Sequence, residues 1–327
     1  MMKLTFDQIQ AVTHGASRIW EQEGRICFSR LTEEQEEFFH TLSPDFFWIR
    51  ARASAGVYLE LETDSPTLSL TVETAPGSAC TAVWLDVTVN GRLIGSLGSN
   101  ETAVGVFSDT FSLGEGTKTL RITLPWGTQT ELRELSLAEG SSLTPTHKKK
   151  RMLIFGDSIT QGAFATHPSA TYASRLTDFL EADAINKAIA GDTFHGELAE
   201  LCEVGDFDYI TVACGTNDWK KTTRQVFEQN CSAFYRTLSR KYPTARIFAI
   251  TPIWRADPDR LTDVGTLRSV RDFIFELAEE LPNVTPIDGY DFVPHDPAYV
   301  GDRRVHPNDE GFAHYAENLI RALRAHL

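Results

Sequence analysis

The stretch Arg151-Met152-Leu153-Ile154-Phe155-Gly156-Asp157-Ser158-Ile159-Thr160-Gln161-Gly162 sets the frame for the whole chain. Residues 152–155 are continuously apolar and stop at a glycine. A run this short has the length of a strand, and apolar side chains on both of its faces mean that both faces are covered. Tyr209-Ile210-Thr211-Val212-Ala213-Cys214 and Arg246-Ile247-Phe248-Ala249-Ile250-Thr251 repeat the form. Longer amphipathic stretches lie at 171–180, 225–241, 264–281 and 308–327. Buried strands alternating with helices predict βαβ units and a parallel sheet covered on both sides. In such sheets ligands bind beyond the carboxyl ends of the strands. The residues that follow each apolar run are therefore the place to look for chemistry.

Upstream the period changes. Short alternating runs begin at Trp48-Ile49-Arg50-Ala51-Arg52-Ala53 and continue at 57–63, 67–73, 83–89, 105–111, 119–125 and 130–137. Gly, Asn, Pro and Asp turns separate them, and Asn90-Gly91 is a strong hairpin signal. This pattern predicts an antiparallel β-sandwich of jelly-roll type. Helical stretches at 6–13 and 32–42 interrupt it, the second opened by Thr32-Glu33-Glu34-Gln35, which has the form of a capping box. Ser141 to Lys150 is polar, with one proline and three lysines, and reads as a connector. The expected organisation is a β-sandwich with short N-terminal helices over 1–145, a linker over 146–150, and the α/β part over 151–327.

Composition narrows the function classes. The 327 residues carry 31 Lys+Arg against 45 Asp+Glu, a formal charge of −14. That balance disfavours nucleic acid and anionic lipid as partners, since both demand a basic surface. The five cysteines, Cys27, Cys80, Cys202, Cys214 and Cys231, are odd in number and form no CxxC pair. A disulfide framework or a zinc site is not expected; free thiols in a reducing, cytoplasmic setting are. Residues 1–7 lack the apolar segment of a signal peptide, and no apolar run is long enough to span a bilayer. There is no phosphate-binding GxxxxGK[ST] loop, no HExxH and no GxGxxG after a strand, so no cofactor is implied.

Four segments at strand ends or late in the chain carry convergent polar residues. Ser158 follows the first apolar run, with Gly156 two residues before it. Gly191 follows Asn186-Lys187-Ala188-Ile189-Ala190 and offers a bare backbone N–H. Asn217, in Gly215-Thr216-Asn217-Asp218, offers a side-chain N–H. His306 lies in Asp302-Arg303-Arg304-Val305-His306-Pro307-Asn308, just before the last amphipathic stretch. Serine is a poor nucleophile until a base takes its proton, and histidine is best tuned for that near neutral pH. Attack on an ester puts charge on the carbonyl oxygen, which N–H donors stabilise. Ser158, His306, Gly191 and Asn217 thus supply a nucleophile, a base and two oxyanion donors.

Gly156-Asp157-Ser158-Ile159 resembles the GDSL signature of the SGNH hydrolase superfamily. Gly215-Thr216-Asn217-Asp218 and His306-Pro307-Asn308 are similar to its later blocks. Four blocks in order make the resemblance specific over 151–327. It implies a flavodoxin-like three-layer α/β/α fold and cofactor-independent ester hydrolysis. Carried over, it makes Ser158 the nucleophile, His306 the base, and Ser158 N–H, Gly191 N–H and the Asn217 side chain the oxyanion hole. The family usually places an acid three residues before the histidine, where this chain has Arg303. Asp302, four before, or a backbone carbonyl is left to orient His306. A β-sandwich ahead of such a domain is similar in architecture to carbohydrate esterase family 2 deacetylases.

The expected function is a serine esterase for short acyl esters, with O-acetyl groups on a carbohydrate as the leading substrate class. The alternatives are a lysophospholipase or thioesterase and a non-catalytic carbohydrate-binding protein of the same descent. The expected partner is a small-molecule or oligosaccharide ester, with self-association left open. Trp219, Trp254, His195 and Arg255, all close in sequence to strand ends, are the candidate substrate contacts.

Overall fold

The computed structural model describes residues 1–327. Its C-terminal part holds a five-stranded parallel sheet. In spatial order the strands are Ala182–Asn186, Lys150–Gly156, Tyr209–Ala213, Arg246–Ile250 and Val284–Ile287. This is the flavodoxin-like order 2-1-3-4-5. The two outermost strands were not legible as apolar runs: Ala182–Asn186 has small and polar residues, and Val284–Ile287 carries Pro286 on an edge, where a missing N–H costs no ladder bond. Helices Arg224–Lys241 and Leu267–Glu279 pack on one face around Phe155, Ile210, Val212 and Ile247. Helices Tyr172–Leu180 and Asp309–Leu323 cover the other, around Met152, Ile154, Phe248 and Ile250. Together they make the three layers.

Ahead of this unit two six-stranded antiparallel sheets face each other. Their inner faces supply one core that includes Leu59, Leu61, Leu70, Val72, Leu85, Val87, Leu120, Ile122 and Leu132. Outer positions alternate with these, as a sandwich requires. Asn90 (φ 49°) and Gly91 (φ 75°) both take the left-handed conformation and join Val83–Val89 to Arg92–Ser99 as a hairpin. Thr5 and Thr32 each close a capping box at the start of Phe6–Val12 and Glu33–Leu42. Thr144–Pro145 adds to the edge of one sheet beside Tyr58–Thr63, and Lys150 opens the parallel sheet, so the basic run spans a short step between the two units.

One expectation is corrected. The segment read as the first strand, 48–53, is a short helix, Phe47–Ala51. Its alternation is local only, because no sheet edge is available to it. Its carbonyls are instead held by Arg30, which is buried and donates to Arg50 O at 3.0 Å and Ala53 O at 2.7 Å. Leu31, Phe39 and Ala51 join the same core as Leu153 and Phe155, so the helices Glu33–Leu42 and Phe47–Ala51 are part of the α/β core, whereas Phe6–Val12 packs into the sandwich core through Ile9 and Val12. No helix is long and apolar enough to cross a membrane.

Candidate active site

The first parallel strand delivers Ser158. The strand ends at Gly156, where an added Cβ would stand 2.0 Å from Thr160 Oγ1, so only glycine lets the chain turn this sharply. Asp157 is buried and caps the following turn, accepting from Ile159 N at 2.9 Å. Burial lifts its carboxyl to about 6. Ser158 is the first residue of the short helix Ser158–Gln161, which Gly162 (φ 116°) terminates.

His306 comes from the loop before the last helix. Its Nε2 lies 2.8 Å from Ser158 Oγ. Its Nδ1 lies 2.7 Å from Asp302 Oδ2. The other carboxylate oxygen, Oδ1, accepts three backbone N–H groups: Arg304 and Val305 at 2.9 Å and His306 at 3.1 Å. Partial burial would raise the Asp302 pKa, but the bonds from His306 and the backbone outweigh it and hold the carboxyl well below the usual carboxylate range. The extra residue in the loop is Arg303, which is left-handed at φ 56°. That conformation folds the additional residue out and leaves Asp302 against the imidazole. Phe164 stacks on the His306 ring at 5.2 Å between centroids and is itself left-handed at φ 73°. A bulky aromatic residue is rarely held so, and here it seats a ring on the imidazole.

Gly191 (φ 86°) follows the edge strand Ala182–Asn186. An added Cβ there would stand 3.2 Å from the Phe46 ring. The loop before it is fixed by Ala190 N donating to Gln161 Oε1 at 2.7 Å and by Asn186 Nδ2 donating to Thr160 O at 3.0 Å. Asn217 lies in the first turn of Thr216–Lys221, behind Gly215, whose φ of 115° and contact with Val270 exclude a side chain. Asn217 Nδ2 is buried with no hydrogen-bond partner. A donor left open this way is costly unless something else accepts from it. Next to it, Asp218 is fully buried, accepts from Phe194 N at 3.0 Å, and is lifted by burial to about 7.

Ser158, Gly191, Asn217 and His306 line one cavity of about 540 Å³. Asp302 stands behind His306. The cavity's outer wall comes from the N-terminal unit: Phe46, Arg50, the 78–82 segment and Trp126. None of these was singled out from the sequence. A signal existed in Phe46-Phe47-Trp48, three aromatics after a Pro-Asp turn, and in Trp126 between Pro125 and Gly127, since large aromatics are unusual in turns.

The four residues proposed as substrate contacts are not among those that line this cavity. Trp219 is fully buried and donates to Gly265 O at 3.0 Å. Arg255 is buried on its face, with Cζ 4.5 Å from the Trp219 ring, and pairs with Asp257 at 2.6 Å. Trp254 stacks on His295 at 5.3 Å. His195 pairs with Asp192 at 2.9 Å and packs edge-on to Phe38. Nearness in sequence to a strand end does not fix the direction of a side chain, and these point into packing. No cluster of three or more metal-ligating side chains occurs.

A serine hydroxyl, an imidazole and an open amide donor in one cavity, with a carboxylate behind the imidazole, can carry out acyl transfer. Comparison with known proteins agrees. Residues 154–314 match the model of the GDSL-like Lipase/Acylhydrolase family. No curated protein sequence matches the chain. Among solved structures, the salicylyl-acyltransferase SsfX3 from a tetracycline biosynthetic pathway has 24% identity and a TM-score of 0.79 over 96% of this chain and 94% of its own. A GDSL-like lipase structure from Bacteroides ovatus has 18% identity and a TM-score of 0.77 over 99% and 97%. A family two carbohydrate esterase from Cellvibrio japonicus has 17% identity and a TM-score of 0.66 over 97% and 96%. At these identities the likeness is one of fold, and it extends over both units. Over residues 154–314, just under half of the chain, the protein is thus similar to the GDSL-like lipase/acylhydrolase family, with the domain of an SGNH-type hydrolase.

Proposed function

We propose that the protein is a carboxylic-ester hydrolase that forms an acyl-enzyme on Ser158, with short acyl esters of a carbohydrate-sized polyol as substrates. The observation that carries this reading is the continuous relay from Ser158 Oγ through His306 Nε2 (2.8 Å) and Nδ1 to Asp302 Oδ2 (2.7 Å). In the first step His306 Nε2 takes the Ser158 proton as Oγ bonds to the acyl carbon. The imidazolium then shares its Nδ1 proton with Asp302, whose low pKa keeps it ionised. Ser158 N–H, Gly191 N–H and Asn217 Nδ2–H are the donors for the oxyanion. The alcohol leaves with the proton from Nε2. Water, deprotonated by the same nitrogen, then attacks the acyl-enzyme and releases the acid. The flat faces of Phe46, Phe164 and Trp126 suit a pyranose ring, in keeping with the fold shared with family two carbohydrate esterases.

A second reading is transfer of the acyl group to an alcohol instead of water. The largely apolar cavity favours it, as does the fold shared with a salicylyl-acyltransferase across both units. One experiment tests both. Hydrolysis of p-nitrophenyl acetate, butyrate and octanoate is measured for the wild type and for Ser158→Ala, with and without added alcohols. Acetate and butyrate should be preferred, and the variant should lose at least ~10³-fold in kcat. Turnover retained in the variant would remove Ser158 from the mechanism. Preference for octanoate would replace the short-chain reading with a lipid or thioester one. Faster release of p-nitrophenol with an alcohol present, together with ester product, would establish transfer.

A further inference from the structure

The wall of the Ser158 cavity contains one permanently charged side chain, Arg50. Its guanidinium lies on the Phe46 ring, with Cζ 3.4 Å from the centroid. Nη1 donates to Phe46 O at 3.0 Å, which satisfies one of the guanidinium's five N–H groups. Nε is buried without a partner. Elsewhere in the chain Arg18 pairs with Glu33, Arg25 with Glu73 and Arg121 with Glu60, whereas Arg52, which lies over Trp48 outside the cavity lining, is also without a carboxylate. Arg50 has no carboxylate, and burial alone acts on it, pulling its pKa down. A partly desolvated cation beside open N–H donors is unfavourable in the free protein, and an anion that enters the cavity relieves it.

A second cation stands close by. Lys221 Nζ donates to Gly191 O at 2.6 Å and has no ion pair. Burial lowers its pKa, while Asp157 and Asp192 oppose the effect. Both carboxylates are engaged elsewhere, Asp157 with Ile159 N and Asp192 with His195. The Phe46 ring thus carries Arg50 on it, and one of its edges lies at Gly191, beside Lys221. Two cations, Arg50 and Lys221, thus stand on the wall beside Gly191.

From this we infer that the ester cleaved at Ser158 carries a carboxylate, held by the Arg50 guanidinium against the Phe46 wall. The inference rests on the hydrolase reading of the same cavity and specifies its substrate class. A guanidinium fork matches a carboxylate in shape and charge, and an apolar lining leaves little water to compete. The carboxylate belongs either to the acyl half, as in a half-ester of a dicarboxylic acid, or to the alcohol half, as in an acylated uronic or hydroxy acid.

Two substrate pairs separate these sources. p-Nitrophenyl hemisuccinate is compared with p-nitrophenyl butyrate, and an O-acetylated glucuronic acid with the matching O-acetylated glucose. In the wild type one pair should show a charged-over-neutral ratio of kcat/KM of about ten- to hundredfold. In Arg50→Met that ratio should fall to near one, and in Arg50→Lys to an intermediate value. Equal rates within both pairs, or a preference that survives Arg50→Met, would overturn the inference and leave the hydrolase reading intact. If no ester is hydrolysed, calorimetric titration of the Ser158→Ala protein with succinate and glucuronate decides. Saturable binding lost on adding Arg50→Met would keep the anion site while the hydrolase reading fails. Absence of binding would overturn the inference.

Discussion

In the proposed reaction Ser158 is reactive only if His306 faces it with an unprotonated Nε2, the tautomer that the Nδ1 contact with Asp302 favours. Asp302 divides its work between two oxygens: Oδ2 takes His306 Nδ1, and Oδ1 gathers three backbone N–H groups. Asp302→Asn can keep the loop bonds through its amide oxygen while presenting the wrong group to Nδ1. It should lower kcat by about 10²–10⁴-fold with little change in unfolding midpoint. Steady-state kinetics beside a melting curve checks this; an unchanged kcat would mean that the carboxylate only holds the loop. Asp218 has a different consequence. Burial lifts it to about 7, above its value in the unfolded chain. From about pH 4 to about pH 7 the folded protein therefore binds more protons at this site than the unfolded one, and the site's contribution to stability falls as pH rises. The cost is at most ~1.4 kcal/mol per pH unit. Asp218→Asn keeps the acceptor for Phe194 N and removes the ionisation. Its stability relative to wild type, read from urea unfolding, should improve between about pH 4 and about pH 7. A constant difference across that range would show that Asp218 titrates alike in the folded and unfolded chain.

The elements that aim these residues were legible to different degrees. The three central strands, the helices between them and the turn at Gly156 could be read because continuous apolar runs and a glycine break are local signals. The edge strands Ala182–Asn186 and Val284–Ile287 could not, since half of their environment is supplied by other elements. The same holds for Phe47–Ala51, whose helix is fixed by an arginine some twenty residues upstream. The Asp302–His306 spacing was readable as a departure but not as a geometry. What reconciles it is the left-handed Arg303, and nothing in an arginine announces φ 56°. This makes the loop testable as an element. Arg303→Val places a β-branched residue in the left-handed region and should cost about 1–2 kcal/mol of stability. It should also lower kcat more than it changes KM, because Asp302 is displaced from His306. Arg303→Gly should preserve both. If the valine variant matched wild type in kcat, the loop conformation would not be what positions the acid.

At the scale of the whole molecule, the sandwich and the α/β unit are fastened at several buried points. Asp86, fully buried in the sandwich strand Val83–Val89, accepts from His167 and Ser169 of the α/β unit. Lys187 reaches Gln35 at 2.9 Å and also bonds Ser17 and Glu203. Arg30 is the most consequential. At 1% exposure it donates to Arg50 O and Ala53 O on one side and to Asn186 O and Ala188 O, at 2.7 and 2.6 Å, on the other. It therefore ties the helix that bears Phe46 and Arg50 to the loop that ends in Gly191. The cavity wall and the loop leading to Gly191, from distant parts of the chain, are joined by a single planar cation that bonds both. Arg30→Met removes that cation and leaves four buried carbonyls short of a donor. The cost should be about 3–5 kcal/mol. In a chain of 327 residues that is a fall in Tm of roughly 4–7 °C. Because the severed bonds face Gly191, kcat should fall beyond what the unfolded fraction explains, even at temperatures where the variant is fully folded. Calorimetry of wild type should show one cooperative transition for both units, and the variant should broaden or split it. A single transition at the wild-type midpoint with full activity would mean that the two units are joined by their packing alone.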